Sequence, residues 1–201
     1  MLSRRHLLAG LGAGLALPAA LRARPARAQD DLRAAVERDP NAPLLGNANG
    51  DVTVVEFFDY NCHFCRRNTA ALAEVIGSDP GLRVVMREWP IFGPGSEAAA
   101  TVALAASQQR KYWPLHQALM ASRGRVDEGV ALRAAQGLGL DMDRLARDRK
   151  APAVAAHLAQ SEVLANALRL MGTPTFVIGR EVHFGAASTA DLREMIATAR
   201  G

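Results

Sequence analysis

The sequence predicts an α/β fold whose elements run β–α–β, then a helical block, then β–β–α. Three observations carry this expectation. Two β-rich segments, Val52–Phe58 and Leu82–Glu88, flank an Ala- and Leu-rich stretch with helical spacing. The long middle, from about Ser96 to Leu170, is rich in Ala and Leu and has no β-branched run. Thr175–Ile178 and Glu181–Phe184 then read as a short hairpin around Gly179-Arg180, ahead of a last helix.

The elements follow in order. Met1 to Ala28 reads as an export signal: Arg4-Arg5, an apolar run from Leu7 to Leu21, then the small-x-small pattern Ala26-Arg27-Ala28. The run is too short to span a bilayer, which takes roughly 20 residues. Ser3-Arg4-Arg5-His6-Leu7-Leu8 points to the twin-arginine route, and cleavage is expected after about Ala28. Residues 29–43 form a short N-terminal segment in which Asp30 to Arg38 has helical character and Asp39-Pro40-Asn41-Ala42-Pro43 breaks it. The domain proper is expected over 44–201. Asn49-Gly50 makes a turn into the first strand. Arg66 to Ile76 is a helix with Ala70, Leu72, Ala73 and Ile76 on one face, stopped by Gly77 to Gly81, so the second strand returns by a parallel crossover. Breaks at Lys111 to Pro114, Ser122 to Gly124, Gly137 to Asp141 and Ala151-Pro152 divide the insert at about 96–170 into four or five helices. Ser188 or Thr189 caps the final helix, with Asp191 in its first turn.

Charge excludes one function class. The 201 residues hold 24 basic and 20 acidic groups, but five arginines and no acids fall in residues 1–28. Without them the balance is 19 against 20, a net charge near −1, so nucleic acid is not an expected partner.

The chain has two cysteines, Cys62 and Cys65, directly after the first strand. They can pair only with each other or with sulfur on another molecule. Cys62 falls where a helix begins, and there unpaired backbone N–H groups and the helix dipole favour a thiolate. A nucleophilic Cys62 and a resolving Cys65 suit thiol–disulfide exchange. The spacing alone also fits an inert disulfide or half of a site for a soft ion such as Cu(I). A four-cysteine zinc site is excluded, and no metal ligand set is expected. His63, when protonated, is placed to donate to the Cys62 sulfur. Phe64 suits an apolar contact surface. Glu56, in an otherwise apolar strand, should have a raised pKa and could relay the Cys65 proton. Trp89 and Trp113 read as packing residues, and Trp89, with Pro90 and Phe92, could alternatively line a substrate groove. His116, His157 and His183 read as surface or satisfied core residues. Thr173-Pro174, taken alone, reads as an ordinary turn, since X–Pro bonds are cis only about 5–6% of the time.

The element order, Glu56-Phe57-Phe58-Asp59-Tyr60-Asn61-Cys62-His63-Phe64-Cys65, Arg87-Glu88-Trp89-Pro90, Lys111-Tyr112-Trp113 and Gly172-Thr173-Pro174-Thr175-Phe176 together resemble the DsbA-like branch of thioredoxin-fold thiol–disulfide oxidoreductases. The resemblance runs from about Leu44 to the C-terminus. It implies a thioredoxin fold with a helical insertion between its β–α–β and β–β–α halves, and Cys62 as the attacking cysteine. It also implies that Glu56 is the buried acid and that Thr173-Pro174 is a cis-proline loop binding extended substrate. The redox-active Cys62–Cys65 pair takes the place of a cofactor. The partners implied are unfolded or partly folded exported proteins and a membrane redox partner that resets the disulfide, with the periplasm as compartment. His63-Phe64 departs from the Pro-His dipeptide of the best-known oxidases, and an aromatic before the second cysteine is more similar to isomerase and reductase relatives. A dithiol oxidase is the expected direction, with an isomerase or reductase of the same fold as the alternative. The stretch from Gln29 to Leu44 is too short for the dimerisation region of dimeric isomerases.

Overall fold

A computed structural model describes residues 23–201. The expected export signal falls mainly outside the described residues, and the helix α1 (Ala23–Glu37) runs through the expected cleavage point.

A five-stranded sheet organises the chain. β2 (Val52–Phe58) and β3 (Leu82–Glu88) pair in parallel, joined by α2 (His63–Ser78). β4 (Thr175–Ile178) runs antiparallel to β2, and β5 (Glu181–Phe184) antiparallel to β4. These strands match the expected boundaries. The sequence reading missed β1 (Leu44–Gly46), which adds antiparallel to β3 and gives the order β1-β3-β2-β4-β5. Three residues are too few to display a two-residue alternation, so this edge strand carries no sequence signal.

The insert forms five helices: α3 (Pro94–Ala106), α4 (Tyr112–Met120), α5 (Glu128–Gly137), α6 (Met142–Asp148) and α7 (Pro152–Ala167). One expected break is corrected. Pro114 lies inside the first turn of α4, where a backbone N–H would have no intrahelical partner, so proline costs the helix no bond there. The final helix, α8 (Thr189–Arg200), starts at a capping box in which Ser188 and Asp191 bond each other's backbone N–H groups.

Strand alternation builds two cores. Val52, Val54, Phe58, Leu82, Val84 and Met86 face one side and pack with the inner faces of α2, α8 and the insert. Val55, Phe57 and Val85 face the other, where Val36 of α1 and Leu164 of α7 cover them. Glu56 falls on the first face, the side that also holds the cysteines.

A buried ionic network ties the helices to the end of β3. Arg87 Nη1 donates to Asp39 Oδ2 at 2.7 Å, and Arg87 also donates to the Ala35 and Val36 carbonyls at the end of α1. His157 of α7 bridges Asp39 Oδ2 at 2.8 Å and Glu88 Oε2 at 2.9 Å. Tyr112 of α4 donates to Glu88 Oε1 at 2.7 Å. His157 is thus a satisfied core residue, as expected. Burial alone would raise the Asp39 carboxyl; bonds from His157 and the Asn41 N–H, with the Arg87 charge, outweigh it and hold the group below its ordinary value. Burial alone would lower His157, but bonds to Asp39 and Glu88 raise it.

Breaking such a network leaves charges buried without partners, so Asp39→Ala should cost roughly 3–5 kcal/mol in urea unfolding. The depressed Asp39 contributes fully above its unfolded value of 3.8, and the raised His157 contributes fully below its unfolded value of 6.5. The gap between wild type and variant should therefore be widest between about pH 4 and 6.5, narrowing as acid protonates Asp39 and as base neutralises His157. A cost under about 1 kcal/mol across that window would contradict the network's role.

Candidate active site

β2 delivers the chain to a turn, Asp59-Tyr60-Asn61, and α2 begins directly after it. The turn is held from both ends. Asp59 is buried and accepts from the Asn61 N–H at 2.6 Å, the Ser96 hydroxyl at 2.7 Å and the Phe92 N–H at 3.0 Å. Asn61 donates to the Val126 carbonyl and accepts from the Val126 N–H, both at 2.8 Å. The helical insert thereby clamps the turn that aims Cys62.

Cys62 is the N-cap of α2, and its sulfur accepts from the Cys65 N–H at 3.1 Å. A thiol cap replaces the usual hydroxyl or carboxylate, so an unsatisfied helix N–H points at the sulfur. Opposite lies the Thr173-Pro174 loop, with a cis peptide bond and the Thr173 carbonyl 3.2 Å from Cys62 Sγ. The loop enters β4, the strand beside β2, so the sheet itself fixes this juxtaposition. Thr173 Oγ1 is buried without a hydrogen-bond partner beside the sulfur.

Both cysteines are free thiols, so the geometry is that of the dithiol form. Hydrogen bonding from the Cys65 thiol, opposed by burial and aided by Thr173 and the Cys65 and Phe64 N–H groups, pushes the Cys62 thiol down to about 6. Burial, then the bond to Cys62, then the nearby Glu56 and Cys62 charges push the Cys65 thiol far above its ordinary range. The two sulfurs are thus unlike: one ionises readily and the other holds its proton.

Glu56, 2% exposed, is pushed up to about 8 by burial and by the charge on Cys62. At neutral pH it carries a proton near the thiol pair, and once ionised its charge further opposes ionisation of Cys65. Phe64 is 52% exposed, and its ring lies 5.0 Å from the Arg67 guanidinium carbon. His63 is exposed and meets the Phe64 ring edge-on at 5.9 Å; it makes no hydrogen bond to Cys62. The expected His63 donor is thus corrected: helix geometry turns that ring outward and supplies the Cys65 N–H instead.

Trp89 takes the packing role expected of it and does not line a groove on the cysteine face. Its side chain falls on the opposite face of the sheet, 7% exposed, against Phe57 with Nε1 donating to Glu162 at 2.6 Å. Trp89 continues the odd-numbered alternation of Val85, which faces away from the cysteines. Its neighbours Ile91 and Phe92 are the exposed apolar groups of that segment. Sequence reasoning gave no role to Asp59 and Asn61; the signal was two Asx residues bracketing the turn, a pattern that favours side chain–backbone bonds.

The parallel β2–α2–β3 unit, the antiparallel β4–β5 pair and a Cys-x-x-Cys at the N-terminus of α2, facing a cis-proline loop, define a thioredoxin-fold protein of the thiol–disulfide exchange class. Residues 53–197 match the family described as DSBA-like thioredoxin domain, and the chain belongs to that family. A thioredoxin-like oxidoreductase from Silicibacter pomeroyi is 49% identical with a TM-score of 0.81, the match covering 84% of this chain and 97% of that one. The thiol-disulfide exchange protein α-DsbA2 from Wolbachia pipientis is 26% identical with a TM-score of 0.79, over 89% of this chain and 97% of that one. The Na(+)/H(+) antiporter NhaA 3 of Salinispora tropica is 31% identical over 157 residues, which is 77% of this chain but 24% of the antiporter. The chain therefore spans about a quarter of that relative's length. Among the described residues no helix is long and apolar enough to cross a membrane.

The asymmetry of the thiols gives a direct expectation. Ultraviolet thiolate absorbance of the reduced protein should titrate with a midpoint near 6 and vanish in Cys62→Ser. A midpoint near the free-cysteine value of roughly 8.5 would contradict the site as described.

Proposed function

We propose that this protein is an exported dithiol oxidase that donates the Cys62–Cys65 disulfide to folding proteins. The observation that carries the reading is the Cys62 sulfur at the N-cap of α2, where it accepts from the Cys65 N–H and its thiolate is favoured. Stabilising the reduced product makes the disulfide a stronger oxidant.

A substrate thiolate attacks Cys62 Sγ of the Cys62–Cys65 disulfide. The new bond joins substrate sulfur to Cys62, the old bond breaks, and Cys65 leaves with the electron pair. The Cys65 thiol is the one that retains a proton, and Glu56, protonated at neutral pH, is the buried source beside it. A second substrate thiolate then attacks the first substrate sulfur, and Cys62 departs as the thiolate its environment favours. Substrate is oxidised by two electrons and the pair is reduced by two. Thr173-Pro174 presents backbone to an extended substrate segment, and the exposed Phe64 rim supplies apolar contact. A membrane redox partner resets the disulfide, and the periplasm is the compartment to which the N-terminal signal directs the chain.

The reduction potential of the pair decides between this direction and the isomerase or reductase reading. A value near roughly −120 mV is expected, and one near about −270 mV would sink the oxidase assignment. Cys65→Ser should accumulate mixed disulfides through Cys62 with exported proteins, visible as adducts on non-reducing gels and released by reductant.

A further inference from the structure

A cluster of arginines lies beside the Cys62 turn in a chain whose charge beyond residue 28 is nearly balanced. Arg66 donates from Nε to the Tyr60 carbonyl at 2.9 Å and from Nη1 to the Ser122 and Gly124 carbonyls at 3.1 and 2.8 Å. These bonds, with the Asn61–Val126 pair, fasten the loop between α4 and α5 beside the cysteine turn. The loop carries Arg123 and Arg125, both exposed. Arg125 Nη2 donates to the Phe92 carbonyl at 2.9 Å, and Arg67 lies over Phe64. One arginine thus lies over the exposed Phe64 ring and another is tied to the Phe92 backbone.

The acids nearby are already engaged. Asp59 is buried and bonded to three donors. Asp127 caps α5 through the Val130 N–H at 2.9 Å, and Glu128 pairs with Arg149 at 2.5 Å. Among the described residues, no carboxylate lies within ion-pair distance of Arg67, Arg123 or Arg125. Uncompensated guanidinium groups at the mouth of a site attract anionic partners and steer their approach.

Building on the exchange reading, we infer that Arg67, Arg123 and Arg125 select substrate segments in which Asp or Glu flanks the reacting cysteine. An extended segment on the Thr173-Pro174 edge reaches Cys62 between Phe64 and the α4–α5 loop. A flanking carboxylate then meets a guanidinium whose planar fork suits two parallel hydrogen bonds. The Phe64 ring beneath Arg67 contributes area without choosing sequence.

The test uses the oxidised full-length mature protein and synthetic dithiol peptides differing only in Glu, Gln or Lys beside the cysteine. At low ionic strength the Glu peptide should be oxidised about tenfold faster than the Lys peptide, the Gln peptide falling between them. High salt should compress the ratio, because exposed charges are screened. The R67E/R123E/R125E variant should reverse the order, and the milder R123Q/R125Q should flatten it. Equal rates for the three peptides with wild type, or an unchanged order in both variants, would overturn the inference. Dithiothreitol, which carries no charge to select, separates the two levels: if wild type cannot oxidise it, the exchange reading itself fails. Co-sedimentation with phosphatidylglycerol vesicles, abolished in the variants and without any peptide preference, would instead make the cluster a lipid contact and overturn the peptide assignment.

Discussion

Everything at this site depends on where one sulfur sits relative to the first turn of α2. Cys62 Sγ occupies the N-cap position, takes the Cys65 N–H, and faces the Thr173 carbonyl across from the neighbouring strand. A helix start offers N–H groups that the helix cannot use, and a thiolate is a better acceptor for them than a thiol. The same placement buries Cys65 one turn further in, above Glu56, where ionisation is disfavoured. Two chemically identical residues become unlike through three positions of helix.

The rest of the fold can be understood as what holds this arrangement still. β2 and β4 are adjacent in the sheet, so the strand that leads to Cys62 and the loop that faces it are fixed by shared backbone bonds. The insert supplies Ser96, Val126 and the Phe92 segment that fasten Asp59 and Asn61. At the end of β3, where the two cores meet, Arg87, Asp39, His157, Glu88 and Tyr112 join α1, β3, α4 and α7 in a buried network. An ionic cluster of that kind adds little net stability over an apolar core, but it penalises any other docking of those elements.

Much of this was legible in the chain. The four longer strands were visible as β-rich runs of the right length, and Ser188 with Asp191 announced the last helix. The cysteine spacing and Thr173-Pro174 marked the two sides of the site. What stayed hidden depended on tertiary contact. β1 is too short to show alternation. Trp89 carries an aromatic suited to either core or groove, and only strand parity assigns it to the far core against Phe57. His63 lies beside Cys62 in sequence, yet the helix turns adjacent residues by about 100°, so proximity along the chain did not become a hydrogen bond. Asp59 and Asn61 bond partners between 33 and 65 residues away, which no local pattern encodes.

A Cys62 thiolate held by the start of α2 stabilises the reduced pair, and urea unfolding of the reduced and oxidised forms at several pH values measures that stabilisation. With Cys62 held near 6 against an ordinary 9.0, thiolate formation contributes about 1.4 kcal/mol to the folded reduced form at pH 7. The depressed group contributes fully above its unfolded value, and the contribution fades as pH falls through about 6. Relative to the disulfide form, the reduced form should gain about 1 kcal/mol of stability as pH rises from 5 to 7. A difference between the two forms that stays constant from pH 5 to pH 7, as expected of two unperturbed thiols in a structural staple, would contradict a Cys62 thiolate held by the fold.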